Sequence, residues 1–522
     1  MKIKTLVLAL AFAFVSTASY GFFWSSQKDL FTILGDIETK GADNTVVSEL
    51  EGYIEDNPRG DHTDEALFRL AGIYAGKKDY GKALKAYSGI VGNFPDSRYS
   101  PESLYEIGSL EYKTGHLDEA KAALDAVQFS GEASVSTKAK AAVLLKEISS
   151  ASYGLAPRLE APAIGLLLPL KGPYAQFGED ALLGALMAAD AFGDKKGVVE
   201  VVVRNVGSDP ASVEAAINDL ADNGRVVGLV GPLLSATAFE ATRYAHNRKI
   251  PIITLSQKEG LTDGEYVFRN FLTPASQASA MAEYACKTLG RTRTAILYPQ
   301  NNYGSELAKL FENEVKALGC EVVKTASYPK STNDFTDHMK RLFGIQVKER
   351  MEGRRKIKEY TSTVEIDSLF IPDSSDSVGL IAPYLDFYNI KGVQLLGSNA
   401  WNSKKLVELA GKNVEGAVFV DGFFIGSKRP ETGEFVARFN STFGRDPGLI
   451  EAQAYDAAYA LIAAGRSGSA GFDREAVKTA LKSLKGLNGA TGPLAFSERG
   501  EAVKKLFILT VKNGRIAEAV VE

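Results

Sequence analysis

The sequence predicts an all-α helical-repeat domain over about residues 25–155, followed by a two-lobed α/β domain of doubly wound parallel sheets over 161–522. Three observations predict it. Residues 45–150 repeat themselves at an offset of 37. Beyond Pro162, short apolar runs alternate with helical patterns. Between the two lies a polar, helix-breaking stretch, Ser149–Pro162. Length and composition agree: 522 residues, 45% apolar and 24% charged, describe a globular chain, and roughly 150 residues per domain gives about three domains. Sixty Lys+Arg against 64 Asp+Glu leave a net charge of −4, so no global basic field draws the chain to nucleic acid. Two cysteines and four histidines weigh against a disulfide scaffold or a His/Cys zinc cluster, and no cofactor or metal is expected.

At the N-terminus, Lys2 and Lys4 precede an apolar run, Leu6 to Val15, which ends in Ser16-Thr17-Ala18. This reads as a secretory signal peptide over 1–21, cleaved after Ala18 or Gly21; the run is short for a bilayer core of about 30 Å. The alternative is an uncleaved anchor. No cysteine follows the run, so no lipid-anchor site is expected, and the mature protein is placed in the periplasm with outer-membrane association left open.

The repeat comes next. Glu65-Ala66-Leu67-Phe68-Arg69-Leu70 recurs as Glu102-Ser103-Leu104-Tyr105-Glu106-Ile107, and Tyr80–Leu84 as Leu117–Lys121. Pro58 and Pro95 also stand 37 apart, so a partial earlier copy is expected. Each unit reads as two amphipathic helices whose small residues, Ala71/Gly108 and Ala83/Ala120, let them approach. A helix pair cannot bury its apolar face alone, so neighbours stack. The pattern resembles tetratricopeptide repeats, with two readings: a protein-binding groove or a rigid spacer.

In the second domain, strands are expected at Ile164–Leu168, Val199–Val203, Val226–Val230, Pro251–Thr254, Thr294–Tyr298, Ser368–Ile371 and Val393–Leu396. Such short apolar runs suit strands buried on both faces of a parallel sheet. Helices are expected at Asp180–Ala191, Ser212–Ala221, Ser276–Leu289 and Ser305–Leu318. Lobe one covers about 161–270 and lobe two about 275–390 with later crossovers. Hinge crossings are expected near Phe268–Pro274, Lys391–Trp401 and Val418–Phe424.

Ligands of open α/β sheets bind outside the carboxyl ends of the strands. The first strand runs into Lys171-Gly172-Pro173-Tyr174, with Phe177 in the first turns of the following helix. The third ends in Gly231-Pro232, with Ser235 placed as an N-cap whose neighbouring N–H groups suit an anion; a plain capping role is the alternative. The fourth ends in Thr254-Leu255-Ser256-Gln257-Lys258. Lys171 and Lys258, read as following adjacent strand ends, point to a ligand with an anionic group. A cleft with both lysines turned to solvent is the alternative.

IGLLLPLKGPYAQFGEDALLGALMAA, VVGLVGPLLSATA and PIITLSQ resemble the type I periplasmic binding proteins, the family of branched-chain amino-acid receptors. ILYPQNNYGSELAKLFENEVKALG is similar to that family's opening of lobe two, and TGPLAFSERGEAVKKLFILTVKNG to its C-terminal hairpin. With secretion and the repeats in front, the chain resembles in particular the penicillin-binding protein activators, which stimulate peptidoglycan synthases. The resemblance implies a type I periplasmic-binding-protein fold and a ligand site in which Phe177 is the cleft aromatic, Ser235 the carboxylate-binding serine and Tyr303 the lobe-two tyrosine. Thr254, Ser256, Asp373 and Ser398 stand at the matching strand ends. Two departures matter. The small Ala/Thr contacts are replaced near Gln257-Lys258, and the acidic residue that holds an amino group is missing around Ser398–Trp401. Asp373 is the candidate substitute.

Cys286, in the last turn of a helix, and Cys320, at the start of a later strand, can either form a disulfide closing a loop of about 35 residues or remain two separate buried thiols. Residues 340–360 carry eight basic and three acidic side chains. They read as a solvated helical arm, the alternative being a contact with phospholipid, peptidoglycan or an acidic partner. No P-loop, H-E-x-x-H, G-x-S-x-G or C-x-x-C is present, so no enzyme is expected; a carboxylate pair acting on a cell-wall fragment is the alternative. The leading expectation is a non-enzymatic, penicillin-binding protein activator-like regulator whose partner is a peptidoglycan synthase. The alternative is an ABC-transporter substrate-binding protein for amino acids or another small anionic metabolite, working with a permease.

Overall fold

The computed structural model describes residues 29–40, 42–152, 161–191, 199–261, 264–352, 355–467 and 473–519. The signal-peptide expectation at 1–21 and most of the linker expectation lie outside the described residues. The chain divides into two compact units, Met1–Leu155 and Ala156–Glu522.

The first unit is all helix: α1 Leu30–Lys40, α2 Asn44–Asp56, α3 Thr63–Gly76, α4 Tyr80–Asn93, α5 Ser100–Thr114, α6 Leu117–Phe129 and α7 Val135–Ser152. The pairs α3/α4 and α5/α6 carry the 37-residue repeat, and α2 supplies the second helix of an earlier copy. Ala71, Ala83 and Ala120 are fully buried where helices meet, and Leu50, Leu70, Tyr87 and Ile90 fill a core running through consecutive pairs. Asp43 and Asp79 cap α2 and α4 by accepting from Val46 N and Lys82 N.

The second unit begins with β1 Ala163–Leu168, α8 Ala175–Ala188, β2 Glu200–Asn205, α9 Pro210–Asp222, β3 Val226–Val230, α10 Ser235–Asn247, β4 Ile252–Thr254 and β5 Val267–Arg269. These strands form a parallel sheet in the order β2-β1-β3-β4-β5. Leu167, Leu229 and Ile252 pack under α9 and α10 with Ile217, Leu220 and Ala241. The chain then builds α11 Pro274–Glu283, β6 Arg293–Pro299, α12 Asn302–Ala317, β7 Glu321–Tyr328, α13 Thr336–Phe343, β8 Gln346–Glu352, β9 Arg355–Thr361 and β10 Ser368–Ile371. It continues with α14 Ser375–Ile381, α15 Pro383–Phe387, β11 Gln394–Gly397, α16 Lys404–Ala410 and β12 Val418–Asp421. Last come α17 Pro430–Phe443, α18 Leu449–Ser467, α19 Arg474–Lys482, β13 Leu487–Gly489, β14 Gly492–Phe496, β15 Ala502–Val503, β16 Phe507–Lys512 and β17 Arg515–Glu518.

The second sheet has the order β17-β16-β12-β11-β10-β6-β7, parallel except for the closing hairpin β16–β17. Three crossings join the lobes. Residues 270–273 lead from β5 to α11, the segment after β12 leads back to α18, which packs on α8, and Lys504–Leu506 return the chain to β16. The expected crossing at Lys391–Trp401 is corrected: β11 lies inside the second sheet, between β10 and β12, and the third crossing is at 504–506 instead. An apolar strand-and-turn reads alike whether the next element returns or stays, and only pairing decides between them.

The basic segment is also corrected. It is an antiparallel hairpin, β8–β9, with Gln346 opposite Thr361 and Glu352 opposite Arg355, rather than a helical arm. Its charges meet across the strands, Arg350 with Glu359 and Lys356 with Glu349; cross-strand pairs are the unit of sheet stabilisation. Cys286, in a π-helical turn that ends α11, is disulfide-bonded to Cys320 at the foot of β7, with Cα atoms 6.4 Å apart.

Candidate functional site

Lobe one presents three loops at the carboxyl end of its sheet, those after β1, β3 and β4. After β1, the Leu170 N–H donates to Asn205 Oδ1 at 2.7 Å, which ties the loop to the end of β2. Gly178 in the first turns of α8 lies so close to the loop that a Cβ would stand 2.1 Å from the Pro169 carbonyl oxygen. That contact seats the helix start and leaves Tyr174 and Phe177 exposed at its mouth, 47% and 46% respectively. Lys171 is exposed in the same loop. After β3, Gly231 has φ +98°, and a Cβ there would meet the Leu167 carbonyl oxygen at 2.3 Å, so only glycine lets this turn fold back on β1.

Ser235 is not the cap of α10. Leu234 holds the cap position and Ser235 is the first helical residue, so no side chain caps this end. Leu234 is still extended, with φ −78° and ψ 128°, and the helix begins at the next residue. Thr237 N–H bonds to the Leu234 carbonyl at 3.2 Å. An uncapped first turn directs backbone N–H dipoles outward, where an anion is favoured. Ser235 is exposed there, with Oγ 3.4 Å from Ser256 Oγ.

Thr254 and Ser256 are fully buried and hold the third loop together. Thr254 Oγ1 donates to the Pro232 carbonyl and accepts from Ser256 N, and Ser256 Oγ accepts from Lys258 N, each at 3.2 Å. Lys258 Nζ lies 5.7 Å from the Phe239 ring centroid. Arg269 braces the loop from below through the carbonyls of Gln257 and Lys258 and an ion pair with Glu501 at 2.7 Å. The sheet order corrects one expectation: Lys171 and Lys258 do not follow adjacent strands, because β3 with Ser235 lies between β1 and β4.

Lobe two presents the loops after β6, β10, β11 and β12. Tyr303 shares its hydroxyl proton between Ser398 Oγ at 2.8 Å and Asn399 Oδ1 at 3.0 Å, and burial pushes its pKa up to about 12, so it stays a donor at any physiological pH. Ser398 is fully buried beneath it. Asp373 accepts from the Tyr328 hydroxyl at 2.6 Å and from Ser374 N at 2.7 Å. Each of its oxygens therefore already serves the β10 loop. Asn399 N–H donates to Gln277 Oε1 at 3.0 Å, fixing the β11 loop on α11.

One group escaped the sequence reading. Asp421 ends β12, 5% exposed, and accepts from Asn402 Nδ2 at 2.7 Å and Gly422 N at 2.6 Å. Burial drives its pKa up to about 7 against the pull of those hydrogen bonds. It stands beside a cavity of about 790 Å³ lined on the polar side by Asn399 and Asn402 and on the apolar side by Phe423, Phe424, Ile425 and Leu449. A strand ending in Asp-Gly was the available signal; its burial was not visible from the chain alone.

All nine candidate residues thus stand at the strand ends, in the loops after them or in the first turn of the helices that follow, Lys171, Tyr174, Phe177, Ser235, Thr254 and Ser256 in lobe one and Tyr303, Asp373 and Ser398 in lobe two. Among the described residues no group of three or more His, Cys, Asp or Glu is arranged to hold a metal ion, and no helix is long and apolar enough to cross a membrane.

Comparison with known proteins bears on the fold and the family. The profile of a tetratricopeptide repeat matches residues 65–97, and that of a periplasmic binding protein matches 162–515. The Leu/Ile/Val-binding protein BraC3 of Rhizobium johnstonii is 26% identical over 377 residues, 69% of this chain and 94% of the relative. Leu/Ile/Val-binding protein homolog 3 of Brucella melitensis is 24% identical over 368 residues, 68% and 92% of the two chains. Among solved structures, a putative branched-chain amino acid ABC transporter from Rhodospirillum rubrum covers 69% of this chain and 100% of its own at TM-score 0.61 and 23% identity. An ABC transporter substrate-binding protein from Sphaerobacter thermophilus covers 69% and 97% at TM-score 0.55 and 25% identity. The two parallel sheets, the strand-end loops and a profile match across most of the chain lead to one conclusion: the chain belongs to the periplasmic binding protein family, with tetratricopeptide-type helices in front.

Proposed function

We propose that this chain is a non-enzymatic solute receptor, exported to the periplasm and serving an ABC permease, whose ligand is a small carboxylate with an apolar body. One observation carries the ligand class. The uncapped first turn of α10, with Ser235 exposed on it and Ser256 beneath, lies in the same lobe-one face as the exposed rings of Tyr174 and Phe177. The helix end suits the carboxylate and the rings suit the apolar body. The relatives are named as binding leucine, isoleucine and valine, and an amino acid is one member of the class. Ser398–Trp401 contain no acid, so the acids that would meet an α-amino group are Asp373, whose oxygens already accept from Tyr328 and Ser374, and Asp421 beside the lobe-two cavity. Titration calorimetry of the branched-chain amino acids and of their counterparts lacking the amino group tests this reading.

A second reading, a penicillin-binding protein activator-like regulator of peptidoglycan synthesis, rests on the tetratricopeptide match at 65–97. A transport receptor has no evident use for a protein-binding solenoid. Capture of a penicillin-binding protein from envelope extract by the full chain, but not by residues 161–522 alone, supports it; capture by neither removes it.

A further inference from the structure

We propose that the hairpin β8–β9 is an arm that docks on an anionic phospholipid surface. Its strands pair with each other and stand outside the seven-stranded sheet. At its base Tyr360 packs on Phe387 and Tyr388, with ring centroids 5.5 and 5.1 Å apart. Above that base, Val347, Lys348, Arg350, Met351 and Lys358 are all exposed, Met351 by 66%. A two-stranded ribbon buries too little to stabilise itself, and this one adds little core to the lobe that carries it.

The charge identifies the occupant. Within Gln346–Thr361 the sequence holds six basic and three acidic side chains, a surplus of three positive charges in a chain whose net charge is −4. Glu349 and Glu359 are taken up in cross-strand pairs with Lys356 and Arg350, and the surplus remains. The basic residues lie on both faces. The register puts Lys348 and Arg350 on one and Lys356 and Lys358 on the other, with apolar Met351 next to the turn end. A bound peptide would engage one face. A planar anionic surface met tip-first engages both, with the methionine entering the headgroup layer and the lysines and arginines forming a collar. Each basic residue near such a surface adds attraction that salt removes.

Sedimentation of the full chain with vesicles tests this. Expected is binding to vesicles of phosphatidylcholine with phosphatidylglycerol, none to phosphatidylcholine alone, and release at about 0.5 M salt. The variants Lys348→Gln/Lys358→Gln and Met351→Ser should each lower partitioning, the first by tenfold or more. These side chains are exposed, and an unchanged circular dichroism spectrum checks the fold. Equal binding to both vesicles, binding to neither, or variants that bind as well as the parent overturn the proposal. So does salt-sensitive binding of polyglutamate without vesicle binding, which would assign the arm to an acidic protein.

Discussion

Replacing Asp421 with Asn should change how the stability of lobe two depends on pH, and in a direction opposite to that of most carboxylates. In the fold the Asp421 carboxyl has a pKa of about 7, whereas an unfolded aspartate titrates near about 4. Between those values the unfolded chain has lost this proton and the folded chain keeps it, so stability falls as pH rises. Below about pH 4 both states are protonated and nothing is lost; above about pH 7 the loss is complete. Three pH units at 1.36 kcal/mol each give about 4 kcal/mol. The asparagine keeps one acceptor for Gly422 N but presents an amide to Asn402, a hydrogen-bond loss of about 1 kcal/mol that does not vary with pH. The variant should therefore be slightly less stable than the parent at about pH 4 and more stable at about pH 8, by about 3 kcal/mol. Urea unfolding followed by the fluorescence of Trp401, which is fully buried in lobe two, reads this directly. A difference between variant and parent that stays constant across that range would refute the reasoning.

Other consequences are simpler to state. Lys504 Nζ pairs with the fully buried Asp456 at 3.1 Å beside the third crossing, so Lys504→Met, which leaves that carboxylate unpaired, should cost about 3–5 kcal/mol in thermal or urea unfolding. Cys286→Ser with Cys320→Ser opens a loop with 34 residues of sequence separation and should lower stability by about 3–4 kcal/mol, and a reducing agent should do the same to the parent and nothing to the variant. Limited proteolysis should release a stable C-terminal fragment starting near residue 155, where the two units divide; uniform degradation would contradict separate folding of the modules.

The strands buried on both faces were the most legible part of the sequence. Val226–Val230 and Ser368–Ile371 are strands with the residues expected, because an uninterrupted apolar run between turns has few other places to go. The 37-residue repeat was legible for a similar reason, since its helix pairs recur with their small contact residues. Less legible was anything decided by pairing. Val393–Leu396 reads as a strand and is one, β11, but the crossing expected beside it is absent because β11 joins the middle of a sheet, and the charges of 346–361 make sense only once Arg350 meets Glu359 across the hairpin. The candidate site shows the same division. Residue types at strand ends could be read off, and Phe177, Ser235 and Tyr303 stand at those ends. Which of them are buried could not: Ser256 and Ser398 are buried under their loops, and Asp421 acquires its raised pKa from surroundings contributed by distant segments.

The central claim is that lobe one seats a carboxylate at the start of α10, and titration calorimetry of the full chain and its Ser235→Ala variant tests it most directly. The panel is leucine, isoleucine and valine with their counterparts lacking the amino group. At least one of these carboxylates should bind with one-to-one stoichiometry, and Ser235→Ala should weaken it by about 1–2 kcal/mol, roughly tenfold, the usual size for a hydrogen bond lost from a charged group. The corresponding amides, which carry no anionic group, should not bind. Binding of the amides as tightly as the acids, or binding of an acid unaffected by Ser235→Ala, would contradict the account.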